Sequence, residues 1–132
     1  AAFLRTKIEF LNSFFAPNEV DEIWLTFSDP QVDDKKGTKR LTSENFIEIY
    51  RKIAKHHAIV HLKTDSNFLY ERAQETIANY KLNIIESTCD LYGDKMKSLN
   101  ETDQKILNIK TFYESKFLKK GIKINYCKFT LW

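Results

Sequence analysis

The chain has 132 residues, of which 42% are hydrophobic and 30% charged, so it has the composition of one globular domain and not of a disordered chain. Its formal net charge of +3 is too small to indicate nucleic-acid binding by itself, although cations cluster at residues 35–40 and 116–123. No apolar run approaches the roughly 20 residues that a bilayer span needs. Cys89 and Cys127 lack CxxC spacing and are expected to be free thiols in a reducing compartment.

The apolar pattern predicts strands that alternate with helices. Strands are indicated where apolar residues run together or alternate, and helices where they recur every three to four residues. In chain order we predict a strand at 2–5, a helix at 7–15, a strand at 22–27, a loop at 29–41, a helix capped by Thr42 or Ser43 and ending near 55, a strand at 58–63, a helix capped by Ser66 or Asn67 and ending near 80, a strand at 82–88, a flexible polar segment at 90–100, a helix at 102–118 with Gly121 as its stop and a strand at 122–132. The last strand changes phase, which predicts a bulge near Tyr126.

This alternation predicts an α/β sheet with right-handed crossovers. In such sheets, ligands bind beyond the carboxyl ends of the parallel strands. Asp29 and Asp65 each follow a predicted buried strand directly, so we expect both carboxylates at one rim of the sheet. The alternative for Asp29 is a simple turn, in which its side chain bonds a backbone N–H two residues on.

A cationic loop follows the first of these acids. Residues 35–40 read KKGTKR, where Gly37 allows the backbone to fold closely. Lys39 and Arg40 lie just before a predicted helix start, a place that attracts phosphate groups. The loop therefore predicts a binding surface for a polyanion such as a nucleic acid, with a solvated surface turn as the alternative.

Other kinds of site find little support. His57 and His61 are four residues apart with a predicted helix–strand boundary between them, so we expect no zinc site and no other metal site. The chain lacks a G-x-S-x-G sequence, which leaves covalent acyl transfer without support. Thr111 and Glu114 lie three apart on a predicted helix and project to one side, as a binding pair or as plain solvent-facing residues. The aromatic residues are interpreted as core packing and not as a platform for base stacking, with Tyr113 as the candidate exception because it neighbours Thr111 and Glu114.

Four of these segments occur together, in order, in a known family. The segments are residues 20–30 (VDEIWLTFSDP), 38–42 (TKRLT), 61–65 (HLKTD) and 108–117 (NIKTFYESKF) with Gly121. The chain resembles the C-terminal part of bacterial tRNA (guanine-N7-)-methyltransferases over nearly its whole length. The resemblance implies part of a Rossmann-like methyltransferase sheet, mostly parallel with an antiparallel C-terminal strand.

The resemblance also implies an activity and a set of site residues. It implies that the complete protein is a cytoplasmic enzyme that transfers a methyl group from S-adenosylmethionine to N7 of a guanine in tRNA. The implied catalytic and cofactor-binding residue is Asp29. The implied substrate-binding residues are Lys35, Asp65, Thr111 and Glu114, and those at the RNA backbone are Lys36, Lys39 and Arg40. The alternatives are a non-catalytic RNA-binding module and a methyltransferase that acts on a small molecule or a protein.

The chain departs from the family's pattern at several positions. Gln31 replaces the Trp that usually follows Asp-Pro, and Lys36 stands where a His is common. An ungapped alignment puts Asp33 at the family's substrate-contacting lysine, whereas a shift of two residues offers Lys35. An acid expected near the cofactor's adenine is replaced around residues 5–6.

The largest departure concerns the cofactor site. The family has a glycine-rich turn after its first strand, whereas the three glycines of this chain are scattered. We therefore expect residues 1–132 to form a single, incomplete methyltransferase domain that is inactive alone. Because the strand at 22–27 would have an open edge, we also expect a homodimer, a strand-swapped dimer or a poorly placed N-terminus.

Overall fold

A four-stranded mixed sheet forms the centre of the computed structural model, which describes residues 1–93 and 95–132. Helical elements connect the strands. In chain order the elements are a 3-10 helix Ile8–Ser13, β1 Val20–Thr26, a 3-10 helix Asp34–Lys39, α1 Glu44–Ile53, β2 Ala54–Thr64, α2 Asn67–Asn79, β3 Ile84–Thr88, a π-helical turn Leu91–Lys95, α3 Met96–Ser98, α4 Glu101–Leu107, α5 Phe112–Lys119 and β4 Asn125–Thr130.

The strand order is β1-β2-β4-β3. β1 and β2 are parallel, and β4 runs antiparallel to both of its neighbours, β2 and β3. Three strands therefore run in one direction and the C-terminal strand in the other, which confirms the predicted α/β class and the antiparallel last strand. The carboxyl ends of β1, β2 and β3 meet at one edge of the sheet, called here the carboxyl edge.

Helices α1 and α2 cover one face of the sheet and enclose the larger core. The buried residues of α1, Phe46, Ile47, Tyr50 and Ile53, recur at helical spacing, and the first three belong to this core. Helix α2 begins where predicted, because the Ser66 side chain accepts a hydrogen bond from the backbone N–H of Leu69 at 3.1 Å.

The chain between β3 and β4 covers the other face and forms a second core, which includes Leu91, Met96, Leu99 and Leu107. Residues 90–100 were predicted to be a flexible polar segment, but helical turns with buried apolar side chains lie within residues 90–93 and 95–100. Leu91 is 0% exposed and Leu99 is 7% exposed, because the few apolar residues of this segment all turn towards the sheet.

The single helix predicted at 102–118 is in fact two helices. α4 ends at Leu107, and α5 starts at Phe112 with Thr111 as its N-cap. Gly121 has a φ of +77°, so its place just after the helix end agrees with the prediction.

The N-terminal predictions are only partly correct. Residues 1–7 contain no strand, and Phe3 is fully exposed, since the outer edge of β1 pairs with no strand in the described parts of the chain. The helix predicted at 7–15 is a short 3-10 helix, and the loop predicted at 29–41 contains a second one, Asp34–Lys39.

Strand β4 has no bulge near Tyr126, contrary to the prediction. Its register with β2 is continuous from Asn125 to Thr130. The phase change arises because β4 lies inside the sheet and is buried on both faces, so Tyr126 and Cys127 are both buried. Among the pairings of β4, the irregular register lies in β3, between Ile84 and Glu86. Both cysteines are free, as predicted, and burial raises the pKa of Cys127 to about 12.

Candidate functional site

A strained turn follows β1 at the carboxyl edge. The backbone N–H of Phe27 donates to the carbonyl of Lys63 at 2.9 Å, which holds this turn against the end of β2. Phe27 and Gln31 have φ angles of +52° and +46°, in the left-handed region that non-glycine residues rarely adopt. Such strain is typical of functional sites, where surrounding contacts hold the backbone in place.

Asp29 lies within this turn and is exposed. Its Oδ1 accepts a hydrogen bond from the backbone N–H of Gln31 at 2.9 Å, which is the simple turn described above as the alternative. This bond uses one carboxylate oxygen and leaves acceptor capacity on the other. The hydroxyl of the preceding residue, Ser28, is buried and finds no hydrogen-bond partner in the described parts of the chain.

Arg40 fixes the turn from the far end of the cationic loop. Its Nε donates to the carbonyl of Pro30 at 3.1 Å and its Nη2 to that of Gln31 at 2.9 Å. The guanidinium also lies over the ring of Phe68, 4.8 Å from the centroid. A Cβ at position 37 would lie 3.0 Å from Nη1 of Arg40, so Gly37 leaves the room that this side chain occupies.

The other cations of the loop point to solvent. Lys35, Lys36 and Lys39 are exposed on the 3-10 helix Asp34–Lys39. Asp33 caps this helix, because its Oδ1 accepts from the backbone N–H of Lys35 at 3.0 Å. Of the two candidates for the family's loop lysine, Asp33 is thus engaged with its own helix.

A cavity of about 340 Å³ lies between the end of β1 and the start of α5. It contains both members of the predicted Thr111–Glu114 pair. Trp24, Phe27, Lys63 and Ile109 also line the cavity. The structure therefore brings Thr111 and Glu114 next to the strained turn.

A buried charge network forms one wall of this cavity. Glu114 is 1% exposed and Lys63 is 3% exposed, and the Lys63 ammonium donates to Glu114 Oε1 at 2.7 Å. The Lys63 ammonium also donates to the Tyr92 hydroxyl at 2.9 Å and to the Leu107 carbonyl at 3.0 Å. The Tyr92 hydroxyl in turn contacts Glu114 Oε1. Burial lowers the pKa of Lys63 against the opposing effect of Glu114, and burial together with Glu114 raises the pKa of Tyr92.

The first turn of α5 holds Glu114 in place. The backbone N–H of Glu114 donates to Thr111 Oγ1 at 3.1 Å, and Glu114 Oε2 accepts from the backbone N–H of Thr111 at 3.4 Å. This reciprocal arrangement is a capping box. Because Oε1 is occupied and Oε2 has only one long contact, Oε2 is the oxygen with acceptor capacity for a ligand.

Asp65 lies at the carboxyl edge, directly after β2, as predicted from the parallel pairing of β1 and β2. It is half-buried and lines a second cavity of about 380 Å³, with Cys89, Ile122 and Lys123. The structure thus places Asp29 and Asp65 at one edge of the sheet, but Asp65 and Glu114 line separate cavities.

Sequence reasoning missed the two polar networks of this face. Lys63 is a cation at the end of the largely apolar run 58–63, and a cation that is buried in such a run needs a partner. His61 is likewise buried, and its Nδ1 and Nε2 contact the Tyr126 hydroxyl at 2.8 Å and Glu22 Oε1 at 2.7 Å. Its ring stacks on Trp24 with centroids 3.9 Å apart, so it supports a wall of the cavity. Both His57 and His61 belong to β2, so the helix–strand boundary precedes them rather than separating them.

Neither a metal site nor a membrane-spanning helix occurs within residues 1–93 and 95–132. The His, Cys, Asp and Glu residues in these ranges form no group of three that is placed to hold a metal ion. The helices in the same ranges are too short or too polar to span a bilayer.

Comparison with known proteins gives a consistent result. The model of a family described as "Putative methyltransferase" matches residues 2–127. A tRNA (guanine-N(7)-)-methyltransferase of Bacteroides thetaiotaomicron is 50% identical over 130 residues, which cover 98% of this chain and 48% of the relative. Proteins of the same name from Porphyromonas gingivalis and Mesoplasma florum are 45% and 41% identical, and the matches cover 98% and 89% of this chain and 50% of each relative.

The chain spans about half the length of these curated relatives. The family match nevertheless covers almost every residue of the chain, including the strained turn, the cationic loop and the start of α5. The resemblance inferred from the four sequence segments is thereby confirmed, and the chain belongs to this methyltransferase family.

Proposed function

We propose that the complete protein containing this chain transfers a methyl group from S-adenosylmethionine to N7 of a guanine in tRNA. The observation that carries the proposal is that Phe27, in the strained turn that leads to Asp29, lines the same cavity as the buried carboxylate of Glu114. The name of the relatives supports tRNA as the substrate. A tRNA substrate would put the reaction in the cytoplasm.

Recognition of guanine follows from the charge of the carboxylates. The Watson–Crick edge of guanine presents N–H donors at N1 and N2, whereas adenine presents an acceptor at N1. An ionised carboxylate only accepts hydrogen bonds, so it favours guanine and repels adenine. Glu114 or Asp65 would be this acceptor, and the cavity that Glu114 lines has a volume at the lower end of ligand pockets, which suits a single base.

Methyl transfer to guanine N7 requires no proton transfer to or from the protein. Guanine N7 has a lone pair and no proton, so attack on a methyl group needs no general base. The bound cofactor would supply an electrophilic methyl group on a sulfonium. The residues of this chain would align the guanine and exclude water. The positive charge passes to the guanine ring during transfer, and the Asp29 carboxylate would stabilise it there.

The residues present fit one side of the cofactor. Ser28 offers a buried hydroxyl without a partner and Asp29 an exposed carboxylate oxygen, and both can bond polar groups of the cofactor. The chain has only three glycines, none directly after a strand, so it lacks the turn that would hold the remainder. We therefore expect residues 1–132 alone not to methylate tRNA. Micromolar binding of S-adenosylmethionine to them in calorimetry would contradict this.

The exposed lysines of the loop, Lys35, Lys36 and Lys39, would bind phosphates of the tRNA backbone. Arg40 would act mainly by holding the Asp29 turn, since its guanidinium donates to two carbonyls of that turn. Charge reversal of Lys36 and Lys39 should raise KM for tRNA with little effect on kcat. The slope of log K against log salt is negative, and its magnitude should fall by about 0.7–0.9 for each phosphate that is no longer neutralised.

The direct test uses the full-length protein, methyl-labelled S-adenosylmethionine and tRNA from cells in which the gene is deleted. Nucleoside analysis should find the label in N7-methylguanosine. Label at another position, or tRNA binding without any transfer, would overturn the proposal and favour another methyltransferase or an RNA-binding module.

The site assignment is tested with isosteric variants. Asp29→Asn and Glu114→Gln should each lower kcat/KM by about 100-fold, the effect of removing one well-placed electrostatic contact. Asp21→Asn is the matched control. Asp21 is an exposed β1 carboxylate at the opposite end of the strand, where it pairs with Lys55. If Asp29→Asn and Glu114→Gln were as active as Asp21→Asn and the parent, Asp29 and Glu114 would not belong to the site.

A further inference from the structure

Three apolar side chains in the link before α5 and in its first turn are exposed to an unusual degree. Phe112 is 79% exposed, Ile109 73% and Tyr113 64%. None of them belongs to either hydrophobic core. Clusters of large exposed apolar side chains mark binding surfaces more often than isolated ones do. Ile109, Phe112 and Tyr113 are called here the α5 platform.

Cations surround the α5 platform. A groove of about 260 Å³ runs along one face of the helix, lined by Phe112, Ser115, Lys116 and Lys119. The lysines in this part of the chain are Lys105, Lys110, Lys116, Lys119, Lys120 and Lys123, and all of them are exposed. The one acid among residues 105–123 is Glu114, whose charge is buried against Lys63. The field at this surface is therefore positive.

The α5 platform adjoins the candidate guanine site. Phe112 and Tyr113 lie between Thr111 and Glu114 in the sequence, and those two residues line the cavity. Successive residues turn by about 100° around an α-helix, so the four side chains fan out from one turn. Ile109 lines the cavity as well, and so joins the two surfaces.

We propose that the α5 platform stacks an unpaired nucleotide of the tRNA next to the target guanine, with Lys116 and Lys119 bound to its phosphates. This inference rests on the proposed function and adds a second RNA contact to that of the loop at residues 35–40. Single-stranded nucleic acids are bound in this way, because every base has a face that stacks on aromatic side chains while lysines bind the backbone.

The charges favour RNA over other occupants. Lysine is depleted at protein–protein interfaces, whereas it flanks the α5 platform on several sides. A membrane-surface helix needs a broad apolar face, but Phe117 and Leu118 of α5 are already packed against the second core. The remaining exposed apolar area is a short aromatic cluster, in which Phe112 and Tyr113 meet edge to face with centroids 5.7 Å apart.

Base stacking on the α5 platform is tested with variants that remove an aromatic ring and variants that keep one. In the full-length protein, Phe112→Ala and Tyr113→Ala should each weaken binding of unmethylated tRNA by about tenfold, measured by fluorescence anisotropy. Phe112→Trp and Tyr113→Phe keep an aromatic face and should restore binding. Because these side chains are exposed, the thermal unfolding midpoint should stay unchanged. Phe10→Ala is the matched control, since Phe10 is 53% exposed on a distant 3-10 helix.

The electrostatic part has a different signature. Lys116→Glu combined with Lys119→Glu should reduce the magnitude of the negative slope of log K against log salt, by about 0.7–0.9 for each phosphate that these lysines neutralise. The aromatic variants should leave that slope unchanged. Lys52→Glu, an exposed change of the same charge on α1, is the control and should have a smaller effect.

Two results would overturn the inference. One is tRNA binding within twofold of the parent for Phe112→Ala and Tyr113→Ala together. The other is a loss of self-association in light scattering with no change in tRNA binding, which would make the α5 platform an interface between copies of the chain. Failure of the proposed function looks different, because tRNA binding would then depend on the α5 platform while no N7-methylguanosine forms.

Discussion

Lys63 and Glu114 form the buried ion pair that fixes the carboxylate of the candidate site. Lys63→Met removes the cation and leaves the Glu114 charge buried without a counter-charge, with only the hydrogen bonds from Tyr92 and the Thr111 backbone N–H. We expect a loss of about 3–5 kcal/mol in the free energy of unfolding, measured by urea denaturation. Lys63→Met combined with Glu114→Gln removes both charges and should recover part of that loss.

Lys55 and Asp21 provide the matched control for this pair. Their side chains are 38% and 66% exposed, although the charged atoms lie only 2.6 Å apart. Lys55→Met should therefore cost less than about 1 kcal/mol, as is usual for exposed pairs. If Lys63→Met cost as little as Lys55→Met, the Lys63–Glu114 contact would not hold the site together.

His61 gives the stability of the protein a pH dependence of known sign. Burial lowers its pKa most strongly, while the hydrogen bond and charge of Glu22 oppose this; Lys128 lowers it and Asp103 raises it by smaller amounts. The folded state therefore prefers the neutral ring, which donates from Nε2 to Glu22 and accepts at Nδ1 from the Tyr126 hydroxyl. Its contribution is fully present above the unfolded pKa of about 6.5 and is lost as the pH falls below that value.

The corresponding experiment compares urea unfolding between pH 8 and pH 5. The stability difference between the parent and His61→Gln should be largest at pH 8 and shrink as the pH falls. His57→Gln, a change at an exposed position of the same strand, controls for the substitution itself. A difference that stays constant across this range would contradict a neutral, buried His61.

At the level of single residues, sequence reasoning found the positions that follow from local rules. Asp29 and Asp65 were placed correctly at one edge because the carboxyl ends of parallel strands meet there. The Lys63–Glu114 contact was missed, because it joins β2 to a helix far along the chain. Lys63 and Glu114 come close only when the chain between β3 and β4 folds over the second face of the sheet.

At the level of elements, the break between α4 and α5 determines where Glu114 lies. Thr111 caps α5 by accepting from the backbone N–H of Glu114. Thr111→Ala should cost about 1 kcal/mol in the free energy of unfolding, whereas Thr111→Ser keeps the hydroxyl and should cost little. Thr102→Ala, an exposed change in the first turn of α4, serves as the comparison. Equal stability of the Ala and Ser variants at position 111 would show that the cap contributes nothing.

The same break could have been found in the sequence. Thr111 followed three residues later by Glu114 is the capping-box pattern that marks a helix start. The single helix predicted at 102–118 passes through this start signal. The polar composition of the segment at 90–100 concealed three buried apolar residues, Leu91, Met96 and Leu99, that pack in the second core.

At the level of the whole molecule, the two faces of the sheet differ in chemistry. The face under α1 and α2 is apolar, whereas the other face carries Glu22, His61 and Lys63 beside its smaller core. Alternation of strands and helices predicted the α/β class. It could not predict this asymmetry, because strands buried on both faces show continuous apolar runs and hide which side chains are paired.

The sheet order predicts a hierarchy of hydrogen exchange. β2 and β4 lie inside the sheet, so their amides should be the most protected and should exchange only through global unfolding. Residues 1–7 have no regular structure and should exchange at nearly the rate of an unfolded chain. Mass-spectrometric exchange of the 132 residues at two protein concentrations tests this. Protection of β1 that rises with concentration would indicate pairing of its open edge with a second chain, whereas strong protection of residues 1–7 at low concentration would contradict the exposed position of Phe3.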